Sequence, residues 1–307
     1  MRSRFAPDRG LTVRMAATVF LLGLLYVVFV AVLIALIKSA FLAVGVAAAV
    51  LFAQYWFSDR IALYAMGGRV VTAAEQPALH GAIDRLCALA DVPKPAVALA
   101  DTDVPNAFAT GRNPSRAVVC VTTGLLRRLD AEELEAVLAH ELSHVAHRDV
   151  AVMTIASFLG VLAGLITRFG LYAGMSGGGF GGGRRGRGQD NTAYVVLLVV
   201  AVSAVVYALS FLLLRGLSRY RELAADRAGA LLTGRPSMLA AALTKLNGEM
   251  SRIPTQDLRH AEPFNAFFFT PALAKGFSLS SIFSTHPTLE RRLAQLAQIS
   301  RQLGQAA

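Results

Sequence analysis

Residues 15–37, MAATVFLLGLLYVVFVAVLIALI, run without a single charge. A helix that crosses a bilayer needs roughly 20 mostly apolar residues. Inside lipid every backbone N–H and C=O must be satisfied within the segment, so such a run has few structures open to it besides a helix. Three more runs meet the same length test: residues 40–57, ending in Tyr55 and Trp56 before Ser58, residues 151–172 and residues 193–214. Tyr and Trp suit a membrane–water interface. Arg168 lies near one end of the third run, where its stem can reach outward to water. The last two runs would also suit a buried hairpin in a large soluble core, but their length favours spanning. Composition agrees: 55% of the 307 residues are hydrophobic and only 16% charged, against about 25% charged in average soluble domains.

The charge pattern bears on topology. Arg2, Arg4, Arg9 and Arg14 precede the first run, which predicts a cytoplasmic N-terminus. The first run is too long for a cleavable signal peptide, and a second begins just after Lys38-Ser39. Four segments follow from this reading: a transmembrane pair over 1–57, a first soluble segment over 58–150, a second transmembrane hairpin over 151–214 and a second soluble segment over 215–307. The connector at 173–192 is glycine-rich yet carries Arg184, Arg185 and Arg187, so the positive-inside rule is equivocal there. Either the hairpin crosses fully or it dips in shallowly. A net charge of +10 would suit nucleic acid in a soluble protein. Here the arginines flank apolar runs, and anionic lipid headgroups are the simpler partner. Cys87 and Cys120 are too few for a disulfide framework and read as buried thiols without chemistry.

The soluble segments carry a motif with chemistry in it. His140-Glu141-Leu142-Ser143-His144 is H-E-x-x-H. Asp130 and Glu133 form a capping box, and the apolar period Leu134, Val137, Leu138, Leu142, Val145 continues a helix through the motif. His140 and His144 then lie one turn apart on one face and can share one ion. Glu141, beside that face, is placed to accept a proton from water. A catalytic zinc needs a third protein ligand and an open fourth position. The best candidate follows the fourth apolar run, in SRYRELAADRAGA at 218–230: Glu222 as ligand, with Asp226 one turn on, accepting a hydrogen bond from a ligating histidine. An even number of membrane crossings returns Glu222 to the side of His140. His147 is one residue off the spacing from His144 and reads as structural. No G-x-x-x-x-G-K-[ST] run is present, so no ATP is expected.

Five pieces, in this order, carry a resemblance: PNAFATG (105–111), HELSHVAHRD (140–149), SRYRELAADRAGA (218–230), FNAFFF (264–269) and FSTHPTLERR (283–292). They resemble the HtpX-type membrane zinc metalloproteases, relatives of the CAAX prenyl proteases within the gluzincins. The resemblance covers most of the chain; the Gly/Arg connector is atypical in composition. It implies an α+β fold: a multi-pass membrane protein with four apolar helices and a mainly helical gluzincin-like protease domain with a small sheet. It implies one Zn2+ per chain held by His140, His144 and Glu222. Misfolded or damaged membrane proteins, or other unfolded polypeptides, are the implied substrates, met at the cytoplasmic face of the inner membrane.

Two further groups of residues gain roles beside that resemblance. PAVALA and AVVCVTTG read as strands with Asn106–Thr110 between them on an edge. An edge strand can pair with an extended substrate, which makes Asn106 and Ala107 candidate substrate contacts. His286 precedes Pro287, which sits at the favoured first position of a final helix. His286 is therefore a candidate oxyanion donor at a loop-to-helix corner. Arg292 matches the family pattern and has two options, the oxyanion or Asp226. Rival readings are a non-catalytic membrane scaffold with a structural zinc and a transporter with a midplane metal site. The motif's place outside every apolar run argues against the transporter.

Overall fold

The computed structural model describes residues 8–36, 66–111, 113–149, 189–250 and 286–305, together with Phe5, Val152 and scattered positions between 45 and 64. The apolar run at 40–57 lies mostly outside the described residues. So do the run at 151–172, the connector and the FNAFFF stretch. The chain is mainly helical with one small mixed sheet. It divides into two compact units: Met1–Val13, Phe57–Ala151 and Arg215–Ala307 form one, and Arg14–Trp56 with Val152–Leu214 form the other.

The apolar unit is built from long helices. Asp8 caps α1 (Arg9–Leu36) by accepting from the Leu11 N–H at 2.8 Å. Apolar residues surround this helix, and Phe20, Leu24, Val27 and Val28 are all more than half exposed. A helix apolar all round belongs either in a protein core or in lipid, and exposure decides for lipid. Leu22 and Phe29 of α1 bury against Val206 of α5 (Gln189–Thr233). Among the described residues, two helices are long and apolar enough to cross a membrane, Arg9–Val32 and Leu197–Thr233, rather than four. The fourth apolar run and the SRYRELAADRAGA motif lie on one uninterrupted helix of 45 residues. The chain holds no proline between 189 and 233 to end it.

The other unit packs helices against the sheet. β1 (Gly68–Val70), β2 (Ala96–Ala100), β3 (Ala107–Thr110) and β4 (Val118–Thr122) are ordered β1-β2-β4-β3. β2 and β4 are parallel; the other pairings are antiparallel. β4 is buried on both faces: Val119 and Val121 join the main core, while Val118 and Cys120 meet Ala98, Ala100 and Phe108 on the other side. That alternation is the period-2 pattern of a strand. β3 lies at an edge, as its turn-flanked sequence leads one to expect, and β1 is a short strand that the sequence reading did not include.

Helices complete the main core with the sheet. α2 (Pro77–Ala90) buries Leu79, Ile83 and Leu86. Leu89, which follows the same apolar spacing three residues after Leu86, is 45% exposed, and Cys87 and Ala90 take the buried positions. Short α3 (Thr123–Arg128) is capped by Thr122 and leads into α4 (Ala131–Ala146), the motif helix. α6 (Pro236–Met250) packs on α4, and α7 (Leu289–Gln302) packs on α6. Burial pushes the Cys87 thiol up to about 11 and the Cys120 thiol to about 12. Both stay protonated and unreactive, as expected of buried thiols.

Candidate metal centre

The motif helix α4 begins with the expected capping box. Asp130 accepts from the Glu133 N–H at 2.9 Å, and Glu133 accepts from the Asp130 N–H at 3.1 Å. From that start, Val137, Leu138 and Leu142 are driven fully into the core. Their burial aims the next face of the helix, His140 and His144, inward as well. The two rings stand edge to face, their centroids 4.9 Å apart. His140 is fully buried and His144 nearly so.

Helix α5 delivers the third ligand. Glu222, Asp226 and Gly229 follow the i, i+4, i+7 spacing and so share one face. Gly229 meets α4 at its motif: a Cβ there would lie 2.9 Å from the His140 backbone nitrogen. Only a residue without a side chain allows this approach. It brings the Glu222 oxygens to 3.6 Å from Nε2 of both His140 and His144. One nitrogen from each histidine and one oxygen of Glu222 all lie within 4.8 Å of one another, and the cluster could hold a metal ion. Two imidazole nitrogens and a carboxylate are the donor set of a catalytic zinc site, so the residues fit that ion. Gly229→Val should force the helices apart, costing about 1–3 kcal/mol of stability. Denaturant unfolding would measure this, and metal binding should weaken in the same variant. An unchanged unfolding midpoint would mean that the contact relaxes at no cost.

Each histidine has a carboxylate behind it. Nδ1 of His140 is 2.9 Å from Asp226 Oδ1. Asp226, itself fully buried, accepts two hydrogen bonds from Arg292, from Nε at 2.7 Å and Nη2 at 2.6 Å. Of the two options the sequence left for Arg292, the structure occupies Asp226. Burial disfavours a charged His140, but its bonds to Asp226 and Glu222 outweigh this and raise its pKa to about 9. Nδ1 of His144 pairs with Asp149 Oδ2 at 2.9 Å, and Arg221 Nε is 3.1 Å from the same oxygen. Burial alone would raise Asp149; the charges of Arg221 and His144 instead hold it down at about 2. No motif spacing marks Asp149 or Arg221 as part of a metal site. One signal was available, because His144 as a ligand needs a partner for its other nitrogen.

Of the remaining candidates, Glu141 and His286 lie against the same cluster. Glu141 is 4% exposed. Burial lifts its carboxyl above the ordinary range, and the Ala109 N–H on β3 donates to it. A raised pKa suits a group that takes up a proton near neutral pH. His286 is buried, with Nδ1 3.3 Å from Glu222 Oε2. Helix α7 starts at Leu289 rather than at Pro287, and its N-cap is Thr288, whose hydroxyl accepts from the Arg291 N–H at 3.4 Å. A threonine cap is a strong local signal that overrides the proline position. Asn106 and Ala107 are buried at the start of β3. Asn106 donates its N–H to Thr122 Oγ1 at 2.9 Å, and its carbonyl accepts from the Thr122 N–H at 3.0 Å. His147 donates through Nδ1 to the Ser143 carbonyl at 2.8 Å, a bond that closes the end of α4.

Comparisons with known proteins extend this picture. The sequence model of peptidase family M48 matches residues 73–300. The chain is 65% identical over 306 residues to Protease HtpX homolog 1 of Streptomyces coelicolor, covering 100% of this chain and 98% of that protein. It is 52% identical over 303 residues to Protease HtpX homolog of Moorella thermoacetica, covering 99% of each. Among solved structures, the crystal structure of S. mikatae Ste24p is similar with a TM-score of 0.50 at 18% identity, covering 94% of this chain and 67% of that one. At that identity the likeness is one of fold.

Proposed function

This chain belongs to peptidase family M48 and is a membrane metalloprotease, and we propose that it binds one zinc ion per chain and cleaves misfolded or damaged membrane proteins at the cytoplasmic face of the inner membrane. The observation that carries the zinc reading is the buried cluster of His140, His144 and Glu222, with Glu141 beside it. In this reading those three residues hold the ion. When bound, zinc lowers the pKa of water and polarises a carbonyl oxygen.

The chain's own residues supply the rest of the chemistry. Glu141 accepts the proton of the attacking water and later returns it to the leaving amine. His286, an imidazole at a fixed corner, donates to the oxyanion as it forms. Asp226 holds the His140 tautomer, and Arg292 neutralises Asp226. Strand β3 lies at the sheet edge and reaches Glu141 through Ala109. An extended substrate adding to that edge would be bound through its backbone, with Ala107 at the start of the contact and Asn106 fixing the strand through its two bonds to Thr122. Backbone pairing tolerates many sequences, which suits a protease for damaged proteins.

The four-span topology with a cytoplasmic active site rests on the two described spans, the apolar runs at 40–57 and 151–172, and the arginines before the first run. Protein in detergent with zinc should cleave an unfolded polypeptide and a destabilised membrane protein. Chelator should stop cleavage and added zinc restore it. Cleavage that persists in chelator would sink the zinc reading. With Cys87 and Cys120 replaced, a cysteine at exposed Ser237 should be shielded from an impermeant thiol reagent added outside intact cells, and one at Ser176 should react. Labelling at 237 would overturn the cytoplasmic orientation. Protection at 176 would mean that the second hairpin does not cross fully.

A further inference from the structure

Two buried Asp–Arg pairs stand behind the candidate metal centre, one for each histidine. Asp226 with Arg292 backs His140, and Asp149 with Arg221 backs His144. The second pair depends on an unusual backbone. Arg148 follows the end of α4 with φ of +57°, a left-handed conformation rare outside glycine. The turn places Asp149 beside a histidine five residues earlier in sequence. Asp149 is 1% exposed, Arg221 is 9% exposed, and Arg221 directly precedes Glu222 on α5.

We propose that Asp149, neutralised by Arg221, is a positioning residue for His144. Asp149 accepts the Nδ1–H of the ring, and this leaves Nε2 as the lone-pair donor on the side of Glu222. The inference rests on the zinc reading of the site. A neutral imidazole carries one proton, and the nitrogen that holds it decides which nitrogen is free to ligate. A carboxylate on that proton also makes the ligating nitrogen more basic. Alone, a buried carboxylate would be costly and would favour its protonated form. Arg221 removes that cost, and the helix turn that delivers Glu222 delivers this counter-charge too. The two histidines are thus held by equivalent devices drawn from different parts of the chain.

Zinc affinity measured by chelator competition on the full-length protein in detergent tests this, alongside the visible spectrum of the cobalt-substituted protein. Asp149→Ala should weaken zinc about 10–100-fold and shift the cobalt bands. Asp149→Asn has the same shape and keeps an acceptor but no charge, so a smaller loss, about tenfold, is expected. A residue that only ties α4 to α5 would lower the melting temperature and leave zinc affinity and the cobalt spectrum unmoved. Should Asp149→Ala fail to fold, Asp149→Asn decides: weaker zinc supports the assignment, and wild-type affinity with an unchanged cobalt spectrum overturns it. Wild-type protein that binds no zinc would overturn the zinc reading itself, and this inference with it.

Discussion

Glu141→Gln should keep its zinc and lose cleavage by about 100- to 10,000-fold, the range typical of a positioned general base. The amide matches the carboxylate in size, so the buried position beside His140 is preserved, but it cannot take up a proton. Metal content by elemental analysis and turnover of an unfolded substrate separate the two effects. Full activity in this variant would remove Glu141 from the mechanism. His286→Ala provides a contrast. It should also retain zinc and substrate affinity, and its turnover should fall on the order of 100- to 1,000-fold, the usual cost of one oxyanion donor. Wild-type turnover there would leave the corner before α7 with a packing role only.

Glu222→Ala should empty the site, because it takes away one of three ligands and leaves two imidazoles without a charge to balance the cation. Asp226→Ala should behave differently. It removes a group that touches His140 but not the ion, for an expected loss of roughly 10–100-fold in affinity. It also leaves the Arg292 guanidinium buried beside an empty space, where breaking a buried pair costs about 3–5 kcal/mol. Zinc stoichiometry and thermal unfolding on the same two proteins read these apart. Zinc that survives Glu222→Ala but not Asp226→Ala would reverse the two assignments.

Local pattern carried much of this. The capping box, the apolar period of the motif helix and the one-turn spacing of His140 and His144 are all short-range. Their consequence, two rings on one buried face, follows from helix geometry alone. The same holds for Glu222 and Asp226 on α5, and for an edge strand marked by turn residues on both sides. The length of an apolar run likewise announces a spanning helix, because lipid offers the backbone no other partner.

Other features had no local sign. Leu89 reads as a core residue by spacing and is exposed; a face is chosen by what packs against it. The last helix starts at Leu289 behind a Thr288 cap, two residues after Pro287, where the sequence pattern would begin it. Gly229 looks like any helical glycine until α4 is laid across it. Asp149 and Arg221 are 72 positions apart and meet only because α5 crosses the end of the motif helix. The sequence by itself determined which residues could bind a metal and move a proton, since those properties belong to side chains and to spacings within a turn. Only the tertiary structure decided which carboxylate stands behind which imidazole. That depends on how two helices distant in sequence cross, which is set by close packing at a few small residues rather than by any periodicity along the chain.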